Sequence, residues 1–521
     1  MLITEILSRN GRMYGDEVAL VERDPAKDRR RELTWRNFER EAHRFANALR
    51  NHGVKRGDRV LHLMMNSIEW LPCYFGILAA GAIAAPLNFR FDADLIESCN
   101  RIARARVLLF GAEFVERIEA IRPGLDGTVK HYVFVGPDAD CPDFATRYGD
   151  FVAGAEDLPP AVELELQAPA ALYFTSGTTG VPKAVSLTHR NLEHACYVEN
   201  QHHRQTHEDN FLCIPPLYHT GAKMHWFGNF VVGARAVLLK GARPDWILQA
   251  VSEEQATIVW LLVPWAHDIL IAWENGELDF GRYRLDQWRL MHIGAQPVPP
   301  NLIRAWKKLF PHHEYDTNYG LTESTGPGCI HLGLGNTHKI GAIGRPGFDW
   351  EAMIVDEYSN PLPTGQAGEL VVKGPGVMAG YYGNPEATAE TIRDGWLHTG
   401  DIARLDEDGF IWLVDRKKDL IISGGENVSP VEVEHFLMEH PAIQDVAVIG
   451  TPDQRLGEQV TAVVQLKTGS QLDEQALLDY ASALPRYMRP RRILFDRVPR
   501  NATGKIEKPK LRQRYCAVAE A

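Results

Sequence analysis

Cysteine is scarce and scattered in this 521-residue chain. The seven cysteines are odd in number and include no CxxC pair. This pattern argues against a disulfide framework or a zinc–cysteine cluster, and it fits a reducing compartment. The cysteines are Cys73, Cys99, Cys141, Cys196, Cys213, Cys329 and Cys516.

Long apolar runs and a basic excess are also missing. The longest apolar stretch, near residues 74–87, is too short to cross a membrane, and residues 1–30 show no signal-peptide pattern. Lys and Arg number 56 against 68 for Asp and Glu, a net charge of -12, which disfavours nucleic acid as a partner. A small anionic ligand stays compatible, because a phosphate site needs only local N–H groups and a few cations. We therefore expect a cytoplasmic protein.

The composition and the apolar pattern predict a multidomain α/β protein. Hydrophobic residues make up 45% and charged residues 24%, as in soluble globular chains. At about 150 residues per domain, three or four structural units are expected. Helical patterns over 33–53 and 67–80 alternate with strand patterns over 59–64, 107–110 and 132–135. Such alternation is typical of α/β layers, whereas residues 137–169 are predicted to hold little regular structure.

The pattern changes after Gly341. Short strands over 352–356, 368–373 and 410–414, separated by turn residues, predict a small all-β subdomain. From about residue 430 the pattern returns to α/β, with helices over 430–439 and near 473–484 and strands over 446–450 and 461–466. We predict an N-terminal domain over 1–414 (β-rich over about 341–414), a hinge over 415–419 and a smaller α+β C-terminal domain over 420–521.

A loop rich in glycine and hydroxyl side chains follows the apolar residues 170–174. Such a loop can present N–H groups and hydroxyls to phosphate oxygens, with Lys183 as a cation. An ordinary Gly/Thr turn is the alternative, but the length of the run disfavours it. The loop differs from a Walker A loop, because Pro182 stands where the second glycine should fall and Ala184 follows the lysine. Its residues are Thr175, Ser176, Gly177, Thr178, Thr179, Gly180 and Lys183.

Three further motifs carry polar or aromatic side chains. In residues 318–324, Tyr319 offers a flat face for a base and Glu323 a hard oxygen for Mg²⁺. Asp401, after Gly400, can accept both hydroxyls of a ribose, and Lys505 lies on a turn near the C-terminus. Taken alone, each motif also fits a solvated strand end or an ordinary turn.

In this order, the four motifs resemble those of the adenylate-forming superfamily: acyl-CoA synthetases, amino-acid adenylation domains and firefly luciferase. The resemblance extends from the helix start at Leu33-Thr34-Trp35 to Lys505. Residues 422–428 look most like bacterial fatty-acyl, carnitine-type and aryl-acid CoA ligases. The resemblance implies an AMP-forming carboxylic acid–CoA ligase that uses ATP, Mg²⁺ and CoA. It leaves the oligomeric state open, with a homodimer among the alternatives.

The resemblance also implies how the nucleotide binds. The loop over 175–183 would cover the phosphates. Tyr319 would stack on the adenine, Asn318 would lie near its amino group, and Asp401 with Arg416 would hold the ribose. The implied nucleotide-binding residues beyond the loop are Gly294, Ala295, Gln296, Pro297, Asn318, Tyr319, Gly320, Asp401 and Arg416.

The implied chemistry has two steps. The acid attacks the α-phosphate of ATP, giving an acyl adenylate and pyrophosphate, and a thiol then displaces AMP. Lys505 would stabilise the charge that accumulates in the first step, while Glu323 and Thr175 would bind Mg²⁺. The implied catalytic residues are Lys505, Glu323, Thr322 and His219.

Family members rotate the C-terminal domain between the two steps. The pivot position falls on Lys418 in this chain. Ser423, Gly424 and Gly425 would then face the pantetheine arm of CoA, since adjacent glycines allow close approach.

The segment over 216–221 resembles the acyl-pocket segment of CoA ligases. Residues 217–228 contain no acidic residue, which weighs against amino-acid activation. Two tryptophans in this region would favour a compact or cyclic acid, unless they only fill the core. The candidate pocket residues are Tyr218, Lys223, Trp226 and Trp265, with His225, His292, Val263-Pro264 and residues 326–335 as further lining.

Two other functions stay open at this point. One is an acyl-AMP ligase that loads a carrier protein, which the 423–428 segment disfavours. The other is a catalytically silent nucleotide-binding protein, which the joint presence of Lys505, Glu323 and Asp401 disfavours.

Overall fold

The computed structural model describes residues 1–176, 182–416, 419–423, 426–501 and 506–516. The α-helices of these residues are α1 (Ile3–Met13), α2 (Trp35–Asn51), α3 (Trp70–Ala79), α4 (Ala93–Ala103), α5 (Val115–Leu125), α6 (Tyr148–Val152), α7 (His189–His203), α8 (Thr220–Phe230), α9 (Pro244–Glu254), α10 (Val263–Glu274), α11 (Pro300–Leu309), α12 (Pro385–Thr391), α13 (Pro430–Met438), α14 (Glu474–Ala481) and α15 (Lys508–Cys516).

The strands are β1 (Val18–Asp24), β2 (Arg29–Thr34), β3 (Arg59–Leu63), β4 (Ile83–Pro86), β5 (Val107–Gly111), β6 (His131–Val135), β7 (Thr146–Arg147), β8 (Pro169–Ser176), β9 (Pro182–Thr188), β10 (Asn210–Cys213), β11 (Arg235–Leu239), β12 (Ile258–Leu262), β13 (Leu290–Gly294), β14 (Glu314–Asp316), β15 (Asn318–Leu321), β16 (Gly326–His331), β17 (Arg345–Pro346), β18 (Glu351–Val355), β19 (Ala367–Lys373), β20 (Gly380–Tyr381), β21 (Ile392–Arg393), β22 (Trp396–Leu405), β23 (Ile411–Arg416), β24 (Ile421–Ser423), β25 (Glu426–Val428), β26 (Ile443–Asp453), β27 (Gly457–Leu466) and β28 (Arg492–Phe495).

Two large sheets form the layers of the N-terminal domain. One has seven strands in the order β14-β13-β12-β10-β11-β1-β2, and the other has eight in the order β20-β9-β8-β4-β3-β5-β6-β7. The neighbours from β14 to β1 pair in parallel, whereas β1 and β2 are antiparallel. The largest cluster of buried apolar side chains takes residues from both sheets and from α2, α3 and α8. The sheets and these helices therefore share one core.

Helices α2 and α3 show how local sequence builds this core. The Thr34 hydroxyl accepts a hydrogen bond from the Asn37 backbone N–H, so it caps α2 as its position predicts. Gly76 on α3 lets the two helices approach closely, since a Cβ there would lie 2.7 Å from the Ala42 carbonyl oxygen. Any side chain larger than that of glycine at position 76 would force the two helices apart.

Two antiparallel sheets follow the large layers. One contains β15, β16 and β17, and the other contains β18, β19, β21, β22 and β23. The predicted subdomain over about 341–414 is rich in β-strands, as expected, but it is not all-β and not separate from the large sheets. Helix α12 lies within it, and Tyr381 of β20 pairs with Val185 of β9 in the eight-stranded sheet. A β-strand pattern cannot show which sheet a two-residue strand joins.

The C-terminal part is a smaller domain around the sheet β25-β24-β27-β26, with β28 parallel to β27. Helices α13 and α14 pack against this sheet in a core of their own. The α/β class with a large N-terminal and a smaller C-terminal domain is confirmed, whereas the exact boundaries at 414 and 420 stay predictions. Between residues 137 and 169 the structure adds only the short β7 and α6 and one 3₁₀ turn before β8 begins. Among the described helices, none has the length and apolarity that a membrane crossing requires.

Candidate active site

The predicted nucleotide segments emerge where parallel strands of the seven-stranded sheet end. β13 ends at Gly294, and β14 ends at Asp316, two residues before Asn318. Ligands of open α/β sheets bind in the crevice at such carboxyl ends. Ala295 adopts a φ of 70°, a conformation that non-glycine residues keep mainly where the surroundings enforce it. The fold thus brings residues 294–297 and 318–324 to one edge.

The predicted phosphate loop joins two antiparallel strands, β8 and β9. Thr175 of β8 lies opposite Lys183 of β9. The Lys183 ammonium lies 4.7 Å from the centroid of the Tyr381 ring, which the pairing of β20 with β9 places beside it. The flat ring therefore holds the loop lysine by a cation–π contact.

Tyr319 and Asp401 meet although 82 residues separate them. The Tyr319 hydroxyl donates a hydrogen bond of 2.5 Å to Asp401 Oδ2. Burial, together with the adjacent Asp401 carboxylate, raises the pKa of Tyr319, so the hydroxyl keeps its proton. Arg416 of β23 lies opposite Asp401 of β22 in the antiparallel pair. The structure therefore brings together Tyr319, Asp401 and the strand position of Arg416, three of the residues predicted to lie at the nucleoside.

A strand irregularity positions Asp401. Gly400 has a φ of 71°, and the pairing of β19 with β22 shifts register between Glu369 and Val371. Such bulges redirect side chains and are common next to active sites. The Thr399 hydroxyl also accepts a hydrogen bond from the Asp401 backbone N–H at 3.1 Å. The turn expected after Gly400 is thus a bulged strand.

Thr322 and Glu323 lie on a 3₁₀ turn directly after β15. The Tyr381 hydroxyl donates to Glu323 Oε1 at 2.9 Å, and the Met378 backbone N–H donates to the Glu323 carbonyl at 2.8 Å. A carboxylate fixed in this way supplies the hard oxygens that Mg²⁺ prefers, so Glu323 fits that ion. Tyr381 thus contacts both Glu323 and the phosphate-loop lysine.

One arginine of the C-terminal domain touches residues 294–297, the segment predicted to flank the adenine. Arg500 donates to both carboxylate oxygens of Asp445, at 2.7 and 2.6 Å, and its remaining terminal nitrogen donates to Gln296. Arg500 also pairs with Ile506 through an isolated β-bridge. Lys505 directly precedes Ile506 and lies outside the described residues. The chain that flanks Lys505 therefore sits beside residues 294–297.

The predicted CoA segment is a hairpin of the C-terminal sheet. Ser423 of β24 lies opposite Glu426 of β25 and also pairs with Gly457 of β27. Several predicted residues at this and the other loops fall outside the described ranges. They are Gly177, Thr178, Thr179, Gly180, Lys418, Gly424, Gly425 and Lys505.

The predicted acyl segment forms the start of α8. The His219 ring caps this helix, its Nδ1 accepting from the Gly221 backbone N–H at 3.3 Å. Tyr218 is buried and packs edge-on against Phe89, with ring centroids 5.4 Å apart. A Cβ on Gly221 would lie 3.1 Å from the Trp260 ring. The face of α8 that starts at Gly221 thus packs on β12.

Lys223 is fully buried on another face of α8. Its ammonium donates to the Leu217 carbonyl at 3.1 Å and lies 4.4 Å from the centroid of Tyr173 and 5.2 Å from that of Tyr74. Burial lowers the pKa of Lys223 well below its ordinary value. Apart from the Leu217 carbonyl, these contacts are with aromatic rings of the core. The predicted pocket residue Lys223 therefore lies among core side chains.

The two candidate tryptophans have different surroundings. Trp226 is 1% exposed and packs against Phe230 and Phe227, with ring centroids 5.3 and 5.8 Å apart. Trp265 near the start of α10 is only partly buried and lies between the two largest cores. The structure therefore places Trp226 in the core and leaves Trp265 beside the carboxyl ends of the strands.

Asn318 contacts buried polar groups. Its amide donates to His225 Nε2 at 3.1 Å and to Glu199 Oε1 at 3.3 Å. Its predicted contact with the adenine stays a prediction. Sequence reasoning missed Glu199, together with Tyr381 and Arg500, because a lone Glu, Tyr or Arg at these positions has no distinctive spacing. Only the pairings of the folded chain reveal them.

Two family models match the chain. The model described as AMP-binding enzyme matches residues 7–382, and the model described as AMP-binding enzyme C-terminal domain matches residues 432–505. The first match covers more than half of the chain.

Curated relatives and a solved structure match over nearly the whole length. A feruloyl-CoA synthase of Amycolatopsis sp. is 36% identical over 490 residues, 93% of this chain and 94% of the relative. The long-chain-fatty-acid–CoA ligase FadD13 of Mycobacterium tuberculosis is 31% identical over 505 residues, 95% of each chain. The anthranilate CoA ligase AuaEII, solved with anthranoyl-AMP, superposes with a TM-score of 0.90 at 29% identity, covering 100% of this chain and 98% of that one. These matches show that the chain belongs to the AMP-binding enzymes, the adenylate-forming superfamily, and that it is an AMP-forming acyl-CoA ligase.

Proposed function

We propose that this ligase activates an aryl or other cyclic carboxylic acid at the edge formed by residues 294–297 and 318–324. The observation that carries the assignment of the site is the contact of Tyr319 with Asp401, which lies opposite Arg416. Tyr319 also lies three residues before Thr322, where the Thr322-Glu323 turn begins. The contact joins a flat aromatic ring, which can stack on an adenine, with a carboxylate, which can accept ribose hydroxyls.

In the first half-reaction a carboxylate oxygen of the acid attacks the α-phosphorus of ATP, and the bond from that phosphorus to pyrophosphate breaks. Negative charge gathers on the α-phosphate oxygens, so a placed cation lowers the barrier. We assign this cation to Lys505, since Arg500 and Ile506 hold the neighbouring chain beside Gln296. The ring of Tyr319 would orient the base, and the loop lysine Lys183 would bind phosphate oxygens.

Glu323 and Thr175 would hold Mg²⁺, which shields the charge of the pyrophosphate group when bound. The Tyr381 hydroxyl fixes Glu323 by its hydrogen bond of 2.9 Å. Thr322, next in the same turn, offers a hydroxyl to a phosphate oxygen. These side chains orient the phosphates without forming a covalent bond to them.

In the second half-reaction the sulfur of CoA attacks the acyl carbon, AMP leaves, and the thiol proton is released. A protein nucleophile is unnecessary, because the thiol itself displaces AMP. The hairpin that carries Ser423 would approach the pantetheine arm after the C-terminal domain turns about Lys418. His219, which caps α8 at the acyl segment, would lie near the reacting carboxyl group.

Two observations support an aryl or cyclic acid. The names of two relatives, feruloyl-CoA synthase and anthranilate CoA ligase, specify acids with an aromatic ring. The α8 face at Gly221 packs on the Trp260 ring, and Trp265 lies near the same strand ends. Flat walls favour flat substrates, because stacked rings gain contact area at low entropic cost.

A panel of acids tests this proposal. The full chain is incubated with ATP, Mg²⁺, CoA and one acid at a time, and AMP release and the CoA ester are both measured. We expect ferulate, anthranilate or another ring-containing acid to give the highest kcat/KM. Higher kcat/KM for straight-chain acids across the panel would overturn the substrate class but not the ligase reaction.

The carrier-protein alternative is separated by the same assay. Free CoA should support steady ester formation. AMP release with a pantetheinylated carrier protein but without free-CoA turnover would favour an acyl-AMP ligase that loads carriers.

We also propose that the enzyme works in the cytoplasm, where ATP and CoA are available and its seven free cysteines stay reduced. A homodimer stays a prediction, which light scattering of the purified chain tests.

A further inference from the structure

His292 is a fully buried imidazole whose two ring nitrogens have no hydrogen-bond partner among the described residues. It lies on β13, two residues before Gly294. A buried polar atom left without a partner destabilises the fold, so two such atoms on one ring call for an explanation. A ligand bound to this ring would remove that destabilisation.

Two other fully buried ligand-type side chains face His292. Asp316 lies opposite it in the parallel pair of β13 and β14, and His203 ends α7 with its ring centroid 4.7 Å from that of His292. One ring nitrogen of each histidine and one carboxylate oxygen of Asp316 all lie within 4.8 Å of one another. Three separate elements therefore converge on one point.

The groups around this triad would orient the side chains as metal ligands. Asp316 Oδ2 lies 2.9 Å from His203 Nε2 and accepts from His331 Nδ1 at 3.2 Å, and Oδ1 accepts from the Gly333 backbone N–H at 2.9 Å. The other ring nitrogen of His203, Nδ1, lies 3.3 Å from Glu199 Oε2. In protein metal sites the free nitrogen of a ligating histidine commonly faces a carboxylate, and ligating carboxylates accept hydrogen bonds.

The charge of the cluster also suits a cation. Asp316 is a fully buried carboxylate between two imidazole side chains. A bound cation would offset the charge that Asp316 brings into the interior.

We propose that His203, His292 and Asp316 bind a zinc ion. Two imidazoles and one carboxylate match the ligand preference of Zn²⁺, whereas Mg²⁺ prefers oxygen ligands alone. The side chains are already packed together, so an ion needs only small adjustments to reach all three. The site is separate from the Mg²⁺ position at Glu323 and would tie α7, β13 and β14 together beneath the nucleotide segments.

Metal analysis of the full chain tests the proposal directly. The protein is purified without chelators, equilibrated with Zn²⁺, passed through gel filtration and analysed for metals. We expect about one zinc per chain, as for a single site of this ligand type, and its loss in His292→Ala. His312→Ala, which removes an exposed histidine, is the control and should keep its zinc.

Cobalt substitution provides a second readout that does not depend on activity. The zinc-free chain is titrated with Co²⁺, and we expect the visible absorption bands of a tetrahedral site in the wild type and in His312→Ala. If His292→Ala fails to fold, Asp316→Asn replaces it. Absence of stoichiometric zinc and of these bands in the wild-type chain, or equal binding by folded His292→Ala, would overturn the proposal.

Discussion

In the proposed division of roles, the charge of Lys505 is required only while pyrophosphate leaves. Lys505→Ala should therefore raise the barrier to adenylate formation by about 2.7–4 kcal/mol, the effect of removing one electrostatic donor. Thioester formation from supplied acyl-AMP should be spared. ATP–pyrophosphate exchange and a single-turnover assay with acyl-AMP measure the two steps separately.

The control is Lys510→Ala, which removes an exposed lysine on α15 that pairs with Glu507. It should leave both rates near wild type. Equal losses of both half-reactions in Lys505→Ala would contradict the assignment.

The buried His62 side chain leads us to expect that the free energy of unfolding decreases in acid. Burial, with a contribution from the Lys223 charge, lowers the pKa of His62 to about 3. The unfolded chain, with a histidine pKa of about 6.5, takes up the proton first, so stability is full above about pH 6.5 and falls as the pH drops toward about 3. His62→Phe keeps a ring on Trp70 and should flatten this loss.

Urea unfolding across that pH range measures the effect. His312→Phe, at an exposed position, should unfold like the wild type. If the wild type and His62→Phe lose stability in parallel, His62 does not take part.

At single positions, the sequence predicts which residues carry chemistry better than it predicts which residues touch one another. The resemblance singles out Tyr319, Asp401 and Arg416, and the fold brings them together. It gives no sign of Tyr381, whose partners Lys183 and Glu323 lie far away along the chain. A tyrosine acquires such a role only from strand pairing, which spacing does not encode.

Among the structural elements, α8 separates core from pocket. Trp226→Ala should cost about 3–5 kcal/mol of folding free energy and leave acid preference intact, because the ring is buried against Phe230. Trp265→Ala, at a partly buried ring, should instead change the preference between acids. For two acids that differ in size by one methylene group, the difference in transition-state free energy obtained from their kcat/KM values should shift by about 1–3 kcal/mol. Melting curves and kcat/KM over a ring-size series distinguish the two.

The opposite pattern, a changed preference in Trp226→Ala with an unchanged melting temperature, would place Trp226 at the pocket. The paired variants serve as controls for each other.

Elements with clear periodicity are predicted well. The observed α2 and β5 lie within two residues of their predicted bounds, because amphipathic spacing and the Thr34 cap are local signals. Helix α12 and the strand β22 are missed. β22 carries Gly400 in the left-handed region, so its sequence indicates a turn, and only pairing with β19 and β23 makes it a strand.

At the scale of the whole molecule, rotation of the C-terminal domain should separate the two half-reactions. Lys418→Pro fixes φ at the proposed pivot and should hold one domain orientation. ATP–pyrophosphate exchange should survive while CoA-ester formation falls. The control is Lys418→Ala, which leaves the backbone free to change its torsion angles and should retain both activities.

Full ester formation by Lys418→Pro would show that the pivot lies elsewhere. The contact of Arg500 with Gln296 joins the C-terminal domain to the segment predicted to flank the adenine. The sequence motifs identify the two segments that meet here, residues 294–297 and the motif that contains Arg500. They cannot show which orientation the C-terminal domain adopts, since that depends on contacts between the domains.

The most direct test of the ligase mechanism follows an oxygen atom from the acid into AMP. The full chain is given ATP, Mg²⁺, CoA and an accepted acid whose carboxylate carries ¹⁸O, and the products are analysed by mass spectrometry. Attack of the carboxylate on the α-phosphorus predicts AMP that carries one ¹⁸O atom, together with pyrophosphate that carries none. Formation of ADP with labelled phosphate, or AMP without the label, would contradict an acyl-adenylate intermediate.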